Sequence, residues 1–321
     1  MSLDYIKRPK WDIFSEIPNL EGKVAIVTGA NSNRGIGYYI AKYLAQRRAT
    51  VYIGARSADK AQAAIREMKK SDDSLLLYPF VADLGDIGSI RAATKAFIAV
   101  EKRLDILVNN AGLLARPLDM NSQGLSVSIA TNHIGPFVLT TELLPLLKDT
   151  AQHSPGVRIV TVASTAHILV PNGLSLQSVE DLNQDFGGVD DMQSNTTRYG
   201  FSKLANILFT KELQARLDKE EVQGIAVALH PGGVKTDGSI NVMGGKDDNP
   251  LLDSALTPEE GALTPLFAAA HPTVWEDRQR YAGAYLMPFA DIEDESDNAK
   301  NPQLAQALWE ITEQAIKRTP N

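Results

Sequence analysis

Two groups of residues carry chemistry at spacings that a fold would have to bring together. The first is VAIVTGANSNRGIG, residues 24–37, where an apolar run ends in Gly29, and Gly35 and Gly37 open the next segment. A strand running through a glycine turn into a helix lets backbone approach a pyrophosphate, while the helix N-terminus offers free N–H groups and partial positive charge. That is the work of a dinucleotide-binding loop, although Ile40 stands where the G-x-G-x-x-G spacing would place its last glycine. The second is RYGFSK, in which Tyr199 and Lys203 stand four apart. On a helix such a pair shares a face, so an ammonium lies close to a phenol with an ordinary pKa of about 10 and favours its ionised form.

The elements that position these groups are legible in the periodicity. From Lys23 onward, β-branched apolar runs alternate with longer stretches of helical period, the mark of successive βα units on a parallel sheet. The runs are 24–28, 50–54, 75–83, 104–109, 157–164 and 225–230, and helices are expected at about 35–48, 58–70, 86–102, 122–148 and 197–219. No linker, low-complexity tract or repeat interrupts residues 23–230, so one continuous domain is expected. Residues 231–257 are rich in Gly, Asp and Asn and read as a long loop, with a substrate lid at about 233–256. A helix resumes at Thr257 with Pro at its first position. A last strand, 281–287, and a final helix at about 301–317 with Leu304, Leu308, Ile311 and Ala315 on one face end the chain.

The 321 residues carry 32 Lys+Arg against 39 Asp+Glu and no Cys. A net charge of −7 lacks the basic stripe of a nucleic-acid binder. Without cysteine there is no disulfide framework, thiolate metal site or cysteine nucleophile. His133, His153, His167, His230 and His271 are scattered, with no pair at i, i+3 or i+4, so no metal site is expected. No segment reaches the roughly 20 apolar residues of a membrane span. Residues 1–22 carry charges and prolines in place of a secretory signal, which reads as an N-terminal arm on a cytoplasmic protein.

LVNNAG (107–112), VASTAH (162–167), the Tyr199/Lys203 pair and HPGGVKT (230–236), together with the TGANSNRGIG loop, resemble the short-chain dehydrogenase/reductase family over roughly residues 22–290. TNHIGPFVLT (131–140) and YGFSKLANILFT (199–210) look most like its retinol-dehydrogenase-like branch. The resemblance implies a single-domain Rossmann-like α/β fold, a doubly wound parallel sheet of about seven strands with helices on both faces. It implies Asn132, Ser164, Tyr199 and Lys203 as the catalytic residues. Tyr199 would give a proton to a carbonyl oxygen, Ser164 would hydrogen-bond that oxygen, Lys203 would also bind the nicotinamide ribose, and Asn132 would hold a water that replaces the proton. Cofactor contacts fall on Gly29, Asn33, Arg34, Gly35, Ile36, Gly37, Arg56, Asp83, Leu84, Asn109, Asn110, Ala111, Gly112, Tyr199, Lys203, Pro231, Gly232, Val234 and Thr236. Asp83 matches the residue that contacts adenine, though an acid ending a strand also serves as a turn former. His167 is either a pocket residue or a loop histidine.

The second strand ends in Arg56 and Ser57 with no acid before Asp59, and Arg34 adds a cation near the same ribose. Cations there suit a 2′-phosphate, so NADP(H) is the expected cofactor. The expected activity is interconversion of a ketone or aldehyde with its alcohol on a moderately apolar small molecule, in secondary metabolism, by a protein the family implies to be a homo-oligomer. Val242, Met243, Leu251 and Leu252 of the lid carry the apolar expectation. Five residues separate Gly29 from Gly35 where the family's usual loop has three, a spacing that resembles enoyl reductases. Those enzymes place their tyrosine and lysine farther apart, which favours carbonyl reduction. A catalytically idle NADP-binding sensor on the same scaffold is the other alternative, and the four intact catalytic positions argue against it.

Overall fold

The computed structural model describes residues 11–318 apart from 189 and 247, with the side chains of Phe14 and Leu251 also left out. The first ten residues of the expected arm therefore lie outside the described residues. In chain order come α1 (Ile13–Glu16), β1 (Val24–Val27), α2 (Ile36–Gln46), β2 (Thr50–Ala55), α3 (Ala58–Lys69), β3 (Leu77–Val81), α4 (Ile87–Val100) and β4 (Ile106–Asn109). Next are α5 (Val127–Ile129), a π-helical turn (Ala130–Ile134), α6 (Gly135–His153), β5 (Val157–Val162), a 3₁₀ turn (Thr165–Leu169), α7 (Met192–Lys219) and β6 (Gly224–Leu229). The chain closes with α8 (Asp237–Val242), α9 (Pro258–Gly261), α10 (Leu263–Ala270), α11 (Pro272–Glu276), α12 (Arg278–Tyr281), β7 (Tyr285–Met287), β8 (Asp291–Ile292) and α13 (Pro302–Arg318).

The strands form one sheet in the order β3-β2-β1-β4-β5-β6-β7-β8. All neighbours are parallel except the β7–β8 pair, which runs antiparallel with Leu286 opposite Ile292. The eighth strand is two residues long, too short to show as a period in the sequence. Strands β1, β5 and β6 are buried along their whole length, as continuous apolar runs covered on both faces must be. One face packs on α4, α6, α7 and α13 through residues such as Phe97, Leu143, Leu208 and Leu308. The other packs on α2, α3 and α10 through Ile40, Leu44, Met68 and Leu266. Chain direction across the sheet reverses between β1 and β4, and open α/β sheets bind ligands at the carboxyl ends of strands at that point.

Four local expectations change in detail. The described part of the arm packs into the core, with Ile17 fully buried and the Trp11 ring 5.5 Å from Phe267. The long helix expected at 122–148 is displaced to 127–153, because Asn121 accepts from the N–H groups of Gln123 and Leu125 and turns the chain before it. Helix α7 begins five residues earlier than its periodicity shows, since Asp191 caps it by accepting from Ser194 N–H at 2.8 Å. The stretch 231–257 is not structureless. It holds α8, capped by Thr236, and a 3₁₀ turn at Pro250–Leu252, and its ends are tied where Val234 bridges Leu256. Six residues of Gly, Ser and Asn character carry no helical period to read.

Candidate active site

A cleft of about 650 Å³ opens over the carboxyl ends of β1, β4, β5 and β6. Its near wall is the glycine loop. Gly29 has φ of +67°, the left-handed region that glycine occupies without strain, and a Cβ there would sit 2.9 Å from Ala111 Cα. A Cβ on Gly37 would lie 2.5 Å from the Asn110 amide nitrogen and 2.7 Å from the Gly29 carbonyl, so the first turn of α2 can sit this close only with glycine. No side chain caps that turn, and Gly35 and Ile36 face the cleft. An uncapped helix N-terminus at the end of an eleven-residue helix fits a diphosphate.

Asn110, Ala111 and Gly112 form the adjoining wall. They are held by Thr28, whose hydroxyl accepts from the N–H groups of Asn110 and Ala111, both at 3.0 Å, while Asn110 donates to the Thr28 carbonyl at 2.8 Å. Thr28 escapes sequence reasoning because its role shows only when β1 and β4 stand side by side. Pro231, Gly232, Val234 and Thr236 line the opposite side.

At the floor, Ser164 follows β5 and Tyr199 and Lys203 rise from α7. The helix approaches the turn after Ser164 closely because residue 200 is glycine, where a Cβ would stand 2.3 Å from the Ala166 carbonyl. Gly200 sits inside the YxxxK span and is a positioning residue that spacing alone does not single out. Lys203 is buried, donates to the Val162 carbonyl at 2.8 Å, and carries its Nζ 5.7 Å from the centre of the Tyr199 ring. Burial pushes the lysine down to about 8. Burial also pushes the Tyr199 hydroxyl up to about 12, against a lowering pull from its hydrogen bond with Ser164. The ammonium lies over the ring face, and burial raises the hydroxyl where the i, i+4 spacing alone leads to the expectation of a lowering.

The remaining candidates separate into distinct places. Arg56 is exposed, lines the main cleft and also a smaller adjoining hollow shared with Leu84, and has no hydrogen-bond or ion-pair partner among the described residues. Arg34 lines the cleft too, but its Nε pairs with Asp237 at 2.5 Å, and Ser32 donates to the same carboxylate at 3.2 Å. The lengthened loop is therefore tied to α8, a contact between residues 203 apart that sequence reading misses. Asn33 is exposed at the loop turn and does not line the cleft. Asp83 accepts from Gly85 N–H at 2.9 Å, as a turn former does, and lines neither cavity.

Asn109 is buried and donates to Thr140 at 3.0 Å, bracing β4 against α6. Asn132 sits in the π-helical turn and is fully buried. Its amide donates to the Leu113 carbonyl at 2.8 Å and to Ser202 at 2.9 Å, and its oxygen accepts from Leu113 N–H at 2.7 Å. It lies behind the cleft wall, fixing the chain after β4 to α7. His230, set aside as one of five scattered histidines, lines the cleft beside Lys203, and desolvation pushes it down to about 4. Of the apolar residues expected in a lid, Met243 and Leu252 line the cleft, Val242 does not, and the Leu251 side chain lies outside the described residues. No group of three His, Cys, Asp or Glu able to hold a metal occurs among the described residues, and no helix among them is long and apolar enough to cross a membrane.

The profile of the short chain dehydrogenase family matches residues 23–175. A short-chain dehydrogenase/reductase of Armillaria gallica is 40% identical over 310 residues, covering 94% of each chain. An uncharacterised oxidoreductase of Schizosaccharomyces pombe is 36% identical over 294 residues, covering 89% of this chain and 82% of that one. Among solved structures, an uncharacterised protein from Mycobacterium paratuberculosis superposes with a TM-score of 0.71 at 31% identity, covering 96% and 97% of the two chains. A short-chain dehydrogenase from Shigella flexneri complexed with NADP shares the fold, with a TM-score of 0.63 at 20% identity over 85% of this chain and 99% of its own. With its glycine-lined cleft, its Ser164–Tyr199–Lys203 floor and these relatives along nearly its whole length, the chain belongs to the short-chain dehydrogenase/reductase family.

Proposed function

We propose that the protein is an NADP(H)-dependent carbonyl reductase of the retinol-dehydrogenase-like branch, interconverting a ketone or aldehyde and its alcohol on a moderately apolar small molecule. The observation that carries this is the convergence of Ser164, Tyr199 and Lys203 on one cleft floor, with the Lys203 ammonium 5.7 Å from the centre of the Tyr199 ring. A protonated tyrosine is the form that gives a proton to a carbonyl oxygen. Ser164 donates to the same oxygen and stabilises the charge that develops on it. Lys203 would hold the ribose edge of the dinucleotide, and its ammonium lies over the face of the tyrosine ring. Asn132 acts at one remove, fixing Leu113, which lines the cleft.

The glycine loop, the uncapped start of α2 and the wall Asn110–Gly112 would hold the dinucleotide, which supplies the hydride when bound. Arg56 is the exposed cation on the cleft edge that would meet a 2′-phosphate, which supports NADPH over NADH. The apolar side chains of Leu113, Leu114, Met243 and Leu252 on the cleft wall support an apolar substrate. A role in secondary metabolism belongs to the same proposal. The test is cofactor oxidation across aliphatic, aromatic, steroid and polyketide carbonyls with NADPH and with NADH. Turnover to alcohols with NADPH supports the proposal. Saturation of a C=C bond would mark an enoyl reductase, and binding without turnover on the whole panel a sensor.

A further inference from the structure

His167 lies three residues after Ser164, is buried, and does not line the cleft. Both of its ring nitrogens are engaged by backbone. Nδ1 stands 2.8 Å from the Ser164 carbonyl oxygen, which can only accept, so Nδ1 carries the hydrogen. Nε2 accepts from Ser296 N–H at 3.2 Å, so it carries none. These two contacts define one neutral tautomer. The ring edge packs on Tyr285 with centroids 5.2 Å apart. The Ser164 carbonyl also takes the His167 N–H at 3.2 Å, and the Ser164 hydroxyl accepts from Ala166 N–H at 3.2 Å.

The segment that holds Nε2, between β8 and α13, is itself stitched to the chain after Ser164. Asn298 donates to the Pro171 carbonyl at 2.8 Å and accepts from Leu174 N–H at 3.3 Å, and Glu295 pairs with Lys211 of α7 at 2.8 Å. Among the described residues, the imidazole is thus the one side chain that joins the Ser164 carbonyl to this brace. We propose that His167 is a positioning residue for carbonyl reduction, locking Ser164, and through it the hydroxyl that meets Tyr199, onto the segment between β8 and α13. This rests on the roles given above to Ser164 and Tyr199. A second proton on the ring would fall on Nε2, facing the Ser296 N–H, and would break the lock. Glu295 from the brace, Tyr285 from β7 and His230 just after β6 face the ring; burial opposes that proton and outweighs the bond to Ser164 and the charge of Glu295, which favour it.

Two substitutions separate the two bonds. The Asn amide nitrogen reaches the place of Nδ1, so His167→Asn keeps the donation to Ser164. The Gln side chain reaches the place of Nε2, so His167→Gln keeps only the Ser296 contact. With NADPH and 4-nitrobenzaldehyde as the probe, His167→Gln should lose about 10- to 100-fold in kcat with NADPH affinity unchanged, and His167→Asn should recover most of it. Wild-type kcat in His167→Gln, or no recovery in His167→Asn, overturns the proposal. Tyr199→Phe measured alongside keeps the two readings apart: turnover retained there breaks the proton-donor role, whereas loss there with wild-type kcat in His167→Gln breaks only the lock. Nitrogen NMR of histidine-labelled wild-type protein reads the lock without turnover. A neutral Nδ1–H ring at pH 7 and below its ordinary midpoint supports it, and an Nε2–H tautomer or a ring that titrates at about 6.5 overturns it.

Discussion

Arg56→Asp is the substitution whose effect on cofactor choice can be worked through from the site. Arg56 follows β2, borders both the main cleft and the small hollow beside Leu84, and has no competing partner among the described residues. Arg34, the other cation at this end, is engaged by Asp237 at 2.5 Å. A 2′-phosphate should therefore draw mainly on Arg56, through the paired hydrogen bonds that a guanidinium fork offers to phosphate oxygens. A lost charged hydrogen bond costs about 1.5–3 kcal/mol, or roughly 10- to 150-fold in affinity. Because Arg56 is exposed, screening holds the loss toward the lower end, while the new carboxylate adds repulsion. NADH lacks the phosphate and should bind the variant about as well as wild type. Arg34→Ala should change the NADPH/NADH ratio by no more than about 3-fold, since an exposed pair already occupies it. Dissociation constants for both cofactors, read by nicotinamide fluorescence in the three proteins, give the answer. A wild-type preference for NADH, or equal weakening of both cofactors in Arg56→Asp, would refute the reasoning.

Gly37→Ala forces a methyl within 2.5 Å of the Asn110 amide and 2.7 Å of the Gly29 carbonyl, so thermal unfolding should show a loss of about 1–3 kcal/mol together with weakened NADPH binding; unchanged affinity would contradict the assigned loop geometry. Residues 237–246 should exchange amide hydrogens faster in the free protein than with NADPH bound, because α8 is six residues long and tied to the glycine loop by an exposed pair. Equal, strong protection in both states would show a rigid element. His133 is fully buried against Thr312, and burial pushes it down to about 3 from an ordinary 6.5. The unfolded chain takes up that proton first, so stability is intact above about 6.5 and falls as pH drops from there toward 3, by a few kcal/mol in all. His133→Gln should flatten that acid slope in pH-dependent denaturant titrations, and an unchanged slope would place the sensitivity elsewhere.

The parallel sheet and its first six strands are legible because strands covered on both faces read as uninterrupted apolar runs, as VAIV and IAVAL do, and the seventh falls within the run expected at 281–287. Tyr199 and Lys203 were legible through a spacing that means the same on any helix. What stayed hidden depends on residues far apart in sequence. The Arg34–Asp237 tie joins the glycine loop to a helix two hundred positions away, and it redirects a cation that adjacency alone assigns to the ribose. The expected lowering of Tyr199 failed for a related reason: sequence places a lysine one turn away but does not say that burial dominates or that the ammonium sits over the ring. Gly200 and Thr28 pack against backbone from other elements, and no local pattern marks such contacts.

The most direct test of the proposed chemistry is turnover by Tyr199→Phe beside its NADPH affinity. The substitution removes one hydroxyl from a ring that otherwise stays packed against the Lys203 ammonium. If Tyr199 gives the proton, carbonyl reduction should fall by about 10²- to 10⁴-fold while NADPH binds as in wild type. Turnover above about a tenth of wild type would show that the proton comes from elsewhere.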